Sequence, residues 1–221
     1  MTTIAPHPHN RPAASPASAR GPTRLLVVDD HAAVRAGLRE LLEDETDFEV
    51  VAAVASAEEA MVVAKQKPID VAVVDYQLGG RNGLWVSRKL KRLPRPPAVL
   101  IYSAYADGIL SAAAVVAEAD GIVSKAGRGS DLCMAVRRLA RGGQELPPMP
   151  PWLGDALRQR LNHEEQAIFG MMLAGIELGE IAETLGLSVE VLDAHLWTMM
   201  RRLEAQHAVQ RIAFSTRPNA G

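Results

Sequence analysis

Five short apolar runs, each followed by helical spacing, set the limits on what this chain can fold into. They are Leu25-Leu26-Val27-Val28, Phe48 to Val54, Val71-Ala72-Val73-Val74, Pro97 to Ser103 and Gly121-Ile122-Val123. Runs this short and this rich in Val, Leu and Ile suit strands covered on both faces. Between them the spacing changes. Val34, Leu38, Leu41 and Leu42 lie on one helical face, and Ser56 with Glu59 three residues later makes a capping box. Further helices are expected over Gly83 to about Leu93, about Asp107 to Val116, and about Ser130 to Arg141. Five β/α units in succession imply a five-stranded doubly wound parallel sheet with right-handed crossovers.

In an open parallel sheet, ligands bind at the carboxyl ends of the strands. Four of the five runs end on polar side chains: Asp29 and Asp30 after the first, Asp75 after the third, Ser103 in the fourth and Lys125 after the fifth. Asp75 alone would read as a cap for the next turn, since Gly79 and Gly80 follow closely. As a set, these residues mean more. Three carboxylates at one edge repel one another unless a cation sits among them. Oxygen donors without Cys or clustered His favour a hard ion, Mg²⁺ before Mn²⁺. A lysine and a hydroxyl opposite them supply what the non-bridging oxygens of a transferred phosphoryl group need.

Composition narrows the setting. The 221 residues carry a formal net charge of −2, and no apolar run reaches the roughly 18 residues that cross a bilayer. No membrane or export signal is legible, so a cytoplasmic protein is expected. The single cysteine, Cys133, excludes an internal disulfide and reads as a small packed residue. Residues 1–22 hold five prolines among Ala, Ser and Thr and read as a disordered tail, with His7 and His9 merely part of it. The α/β pattern occupies 23–141. Residues 142–157 hold four prolines and read as a semi-rigid linker that includes Trp152 and Leu153.

After the linker the strands stop. Asn162 and Glu165 open a helix with Ala167, Ile168, Met171 and Met172 inward. Glu180 to Ser188 gives a short helix, a glycine turn and an N-cap. A third helix follows with an apolar stripe of Val191, Leu192, His195, Leu196, Met199, Met200 and Leu203. This small all-α unit over 158–215, with a tail at 216–221, matches a helix-turn-helix.

Val28-Asp29-Asp30-His31, Val34-Arg35-Ala36-Gly37-Leu38, Asp75 with Gly83, Ser103, and Gly121 with Lys125 closely resemble a response-regulator receiver domain of the NarL/FixJ group. EIAETLGLS and the helix after it resemble the LuxR-type output domain that accompanies such receivers. The resemblance implies a flavodoxin-like receiver that is not itself an enzyme. Asp75 would accept phosphoryl from a sensor histidine kinase. Asp30 would hold Mg²⁺ directly, Asp29 largely through water, and the Gln77 carbonyl would complete the site. Ser103 and Lys125 would move toward the phosphoryl group. It further implies promoter DNA as partner, a homodimer on activation, and DNA contacts among Ser188, Glu190, Val191, Asp193, Trp197, Arg201 and Arg202. His195 matches a family position and is expected to pack inside the three-helix unit. Two departures stand out in the receiver: Ile122 occupies the position of a common aromatic switch, and Gly79 that of a common proline.

Charge raises an objection to DNA. Between Trp152 and Thr216 there are five basic and nine acidic residues, whereas DNA binding rests on a stripe of Lys and Arg. Asp193 at a groove-facing position would repel phosphate, and Trp197 beside it suits a protein contact. The alternative expectation is therefore an atypical regulator whose acidic output domain binds a protein partner and no longer binds DNA.

Overall fold

The computed structural model describes residues 21–104, 108–146 and 161–215, without the side chains of 108, 109 and 204–215. Five parallel strands, β1 (Thr23–Val28), β2 (Phe48–Val54), β3 (Val71–Asp75), β4 (Ala98–Ser103) and β5 (Gly121–Ser124), lie in the order β2-β1-β3-β4-β5. The chain reverses direction across the sheet between β1 and β3. That is the switch point at which an open α/β sheet presents a crevice.

Side-chain alternation divides the core into two layers. Leu25, Val27, Val71, Val73 and Leu100 face α1 (Ala32–Glu43) and α5 (Gly129–Ala140). Leu26, Val28, Ala72, Val74, Val99 and Ile101 face α2 (Ala57–Gln66), α3 (Gly83–Leu90) and α4 (Gly108–Val116). With both faces covered, β3 is buried along its whole length, and so its apolar run shows no polar alternation.

Local signals behave as their chemistry dictates. The Ser56 hydroxyl accepts from Glu59 N at 3.2 Å, while the Glu59 carboxylate reaches one residue further back than a capping box requires, to Ala55 N. Helix α3 stops at Leu90, short of the expected Leu93. Its last turn tightens, with Leu93 N donating to Leu90 O, because Pro94 follows and disfavours helical backbone at the residue before it. Past α5 the chain returns to the sheet edge, where Ile122 N donates to Glu145 O at 3.0 Å.

The output region holds α6 (His163–Leu173), α7 (Leu178–Leu185) and α8 (Val189–Ser215). Asn162 and Glu165 form a complete capping box at α6. Gly186 ends α7 with φ +65°, a left-handed conformation that suits glycine, and Ser188 caps α8 by accepting from Val191 N. This unit is not a separate body. Ile168, Phe169, Leu192, Leu196 and Met199 belong to the same apolar core as the α2/α3/α4 side of the receiver.

The join is α4, whose residues Leu110 to Val116 are all buried, Val115 being the most exposed at 8%. Apart from Ser111 these residues are apolar, and a helix apolar on nearly every side must be covered on nearly every side. The sheet covers one side of α4, and α8 and α6 cover the other. No helix among the described residues is long and apolar enough to cross a membrane. His7, His9, Trp152, Leu153, most of the expected linker and both expected tails lie outside the described residues apart from Gly21 and Pro22.

Candidate functional site

The parallel sheet brings the carboxyl ends of β1, β3, β4 and β5 to one edge. There Asp29 is fully buried, Asp75 nearly so, and Asp30 partly open to solvent. Lys125 Nζ bridges the two buried acids, 2.7 Å from Asp29 Oδ2 and 2.9 Å from Asp75 Oδ2. Its own backbone N donates to Ser103 O at 2.7 Å, which fixes the β5 end against the β4 end. Ser103 is buried beside them. Asp75, Ser103, Lys125, Asp29 and Asp30 are thus brought together.

Backbone amides hold the acids in place. His31 N donates to Asp29 Oδ1 at 2.8 Å, Gln77 N to Asp75 Oδ1 at 3.2 Å, and Gly79 N to Asp30 Oδ2 at 3.0 Å. Arg35 reaches back from α1 to the Asp29 carbonyl. Gly83 is a packing requirement, because a Cβ there would lie 2.3 Å from the Asp75 carbonyl oxygen. The glycine lets α3 begin directly against the Asp75 backbone.

Burial is the largest influence on Asp75 and pushes its carboxyl above the ordinary range. The Lys125 ammonium opposes that shift, and the neighbouring Asp29 charge adds to it. For Lys125 burial works against the charge, but hydrogen bonds to Asp29 and Asp75 outweigh it and raise its pKa.

Ligand atoms of Asp29, Asp30, His31 and Asp75 all lie within 4.8 Å of one another, a spacing that could hold a metal ion. His31 was not an expected site residue. Its Nδ1 lies 2.7 Å from Asp30 Oδ1, and its only sequence signal is adjacency to the acid pair. A second unforeseen neighbour is Tyr102, the residue before Ser103, whose ring centroid lies 5.5 Å from Lys125 Nζ. Ile122 is buried in the core, so the aromatic beside the lysine comes from β4 and not from β5.

The expected DNA-contact residues are divided. Ser188, Glu190, Val191 and Arg201 are exposed. Asp193 and Trp197 instead face the receiver. Asp193 accepts from Arg88 and, at 2.7 Å, from Arg92, both at the C-terminal half of α3 or just beyond it. The Trp197 indole N–H donates to the same carboxylate at 3.1 Å, and its ring lies 5.4 Å from the Arg88 guanidinium carbon. Arg88 is 1% exposed and also binds Val116 O and Glu118. Desolvation works against the Asp193 charge, yet Arg92 and Arg88 overcome it and hold the carboxyl below its usual range. Arg202 pairs with the buried Glu165 at the cap of α6. His195 is only half-buried, 4.0 Å from Glu164, and so sits at the rim of the three-helix unit.

A doubly wound parallel sheet with three carboxylates and a lysine gathered at its switch-point edge defines the class of aspartate-based signal receivers. The response regulator receiver domain family matches residues 25–137, and the chain belongs to that family. The transcriptional regulatory protein UhpA of Escherichia coli K12 is 30% identical over 187 residues, covering 84% of this chain and 94% of that protein. The response regulator UvrY of the same organism is 26% identical, covering 84% and 90%. Among solved structures, a LuxR-family two-component response regulator from Aurantimonas shares 27% identity at a TM-score of 0.55, covering 64% of this chain and all of that one. The RcsB–DNA complex, at 22% identity and a TM-score of 0.56 over 83% of this chain, has the same fold. The chain is a response regulator.

Proposed function

We propose that this regulator takes a phosphoryl group from a sensor kinase phosphohistidine onto Asp75 and regulates transcription through its helix-turn-helix unit. The observation that carries the first half is the Lys125 bridge between Asp29 and Asp75 at the sheet edge. An Asp75 carboxylate oxygen attacks phosphorus, the P–O bond forms, and the electron pair of the P–N bond leaves with the imidazole. Lys125 then exchanges one carboxylate for a phosphoryl oxygen, and Ser103 offers its hydroxyl to another.

Three of the four clustered side chains, Asp29, Asp30 and Asp75, offer the oxygen donors that suit Mg²⁺, with Asp30 partly open to solvent and His31 beside it; the Gln77 carbonyl would add a further oxygen. Asp29, Asp30 and Asp75 would hold the ion, which supplies the positive charge that offsets the incoming phosphoryl oxygens.

The second half follows relatives named as transcriptional regulators, among them UhpA and the DNA-binding transcriptional activator DevR/DosR of Mycobacterium tuberculosis, 29% identical over 205 residues. DNA would meet the α8 face bearing Ser188, Glu190, Val191 and Arg201. Asp193 and Trp197 join that face only when α8 leaves α3, and Arg202 only when it leaves Glu165. α4, which carries α8, begins five residues after Ser103, so a shift at Ser103 has a short route to α8. Activation as a homodimer and a cytoplasmic location, where kinase and promoter are both present, complete the reading.

Phosphorylated protein is expected to select a genomic DNA fragment with a steep salt dependence. Absence of binding to any fragment at low salt would sink the DNA half. One observation favours a protein partner instead. Glu177, Glu180, Glu183 and Glu190 are all exposed around the helix-turn-helix, with Val189 and Val191 open among them. Salt-insensitive capture of a protein without DNA binding would support that reading.

A further inference from the structure

Between α3 and α8 lies an open cleft of about 470 Å³, lined by Gly80, Arg81, Asn82, Trp85 and Lys89 from the receiver and by Trp197, Met200 and Arg201 from the output unit. Its side chains form a ladder in which cations alternate with indoles. Arg81 lies 4.9 Å from the Trp85 ring centroid, and Lys89 Nζ lies 5.7 Å from Trp85 and 5.6 Å from Trp197. Arg88 closes the ladder beneath Trp197.

The charges here are unlike those around them. Arg88 and Arg92, on the neighbouring flank of α3, are neutralised by Asp193 and Glu118. Arg81, Lys89 and Arg201 have no carboxylate partner among the described residues, and no carboxylate lines the cleft. In a chain of net charge −2 with an acidic output unit, three unneutralised cations around two indoles make a local positive field with flat apolar walls.

We propose that this cleft is a binding site for a small heteroaromatic anion, a nucleoside phosphate. The volume lies in the range of small-molecule sites, which occur preferentially at domain boundaries. Indole rings stack on a base, and Arg and Lys at the rim take the phosphate. Both domains contribute to the walls, so the ligand holds α8 against α3 and is released when they separate. Phosphorylation at Asp75, five residues from Gly80, and occupancy of the cleft are then coupled, each changing the affinity for the other by the same factor. Binding stands independently of the function proposed above. The coupling to phosphorylation and any effect on DNA binding rest on it.

The test is titration of the full-length protein with AMP and GMP, followed by tryptophan fluorescence and calorimetry, with adenosine and inorganic phosphate as controls. Saturable binding of a nucleotide, at least about tenfold tighter than either control, is expected, because ring and phosphate are held together. Lys89→Gln, an exposed residue outside the phosphorylation site, should weaken it about tenfold while leaving acetyl phosphate labelling of Asp75 unchanged. Arg81→Gln is the second variant should Lys89→Gln fold poorly. No saturable signal, inorganic phosphate binding as well as the nucleotides, or unchanged affinity in both variants would each overturn the proposal. Failure to bind promoter DNA would leave these outcomes unaffected.

Discussion

Two carboxylates held by cations, Asp75 and Asp193, show how differently one chain uses the same chemistry. Asp75 sits at a strand end, nearly buried, and shares a single ammonium with Asp29. Burial dominates there and raises its pKa. Asp193 is about one-third exposed and faces two guanidiniums and an indole N–H. Its partners dominate and lower its pKa. A carboxylate short of compensating charge is poised to take on a new group. One whose two guanidinium partners outweigh its burial is a structural tie, here between the receiver and the output helix.

That contrast can be broken most severely at its first member. Asp75→Asn should reduce acetyl phosphate labelling below detection while circular dichroism keeps the native signature, because the amide is a poor nucleophile. Retained acid-labile phosphate would remove Asp75 from its role.

The next largest effect is expected at Arg88. Replacement by Ala removes the buried guanidinium that Glu118 and Asp193 share and leaves them Arg92 alone, and losing hydrogen bonds to charged groups costs about 3 kcal/mol. Chemical denaturation should show this loss, together with faster proteolysis between the domains.

Gly83→Ala tests whether the Asp75 backbone tolerates crowding. Its Cβ would strike the Asp75 carbonyl at 2.3 Å, and overpacking of this kind costs about 2 kcal/mol. A slower labelling rate should accompany the drop in melting temperature.

pH separates the two acids by sign. Asp75 has a raised folded pKa, so it holds its proton to higher pH than an ordinary carboxyl. Labelling should therefore fall as pH descends through a window above the usual 3.8, giving a profile displaced upward from an ordinary carboxyl group. Asp193 has a depressed folded pKa. The stability it contributes is present above the ordinary 3.8 and is lost only as pH falls below that value. Interdomain protection in limited proteolysis should thus outlast labelling on acidification, and the reverse order would undo the comparison.

Much of the receiver was legible from residues alone. Apolar runs without alternation mean strands covered on both faces, and five of them interleaved with helices imply a doubly wound parallel sheet, whose order β2-β1-β3-β4-β5 the structure supplies. Parallel strands all end at the same edge, so Asp29, Asp75, Ser103 and Lys125 had to approach one another although up to 96 positions separate them. His31 and Tyr102 were harder to see. A histidine after two aspartates and a tyrosine before a serine carry no periodic signal, and their roles depend on where a ring points.

The output unit marks the boundary between the two kinds of information. Its caps, glycine turn and apolar stripe were local, and each formed where its chemistry required. Asp193 and Trp197 stood out in the sequence as unsuited to phosphate, and a protein surface was the alternative expected for them. That the surface belongs to this chain's own α3, 105 residues away, was decided only by tertiary packing. The largely apolar α4 required some cover, because buried apolar area is favourable wherever it comes from. The hydrophobic effect has no direction and cannot name the partner. The ion pairs of Asp193 with Arg88 and Arg92 are directional, and they select α8 and set its register.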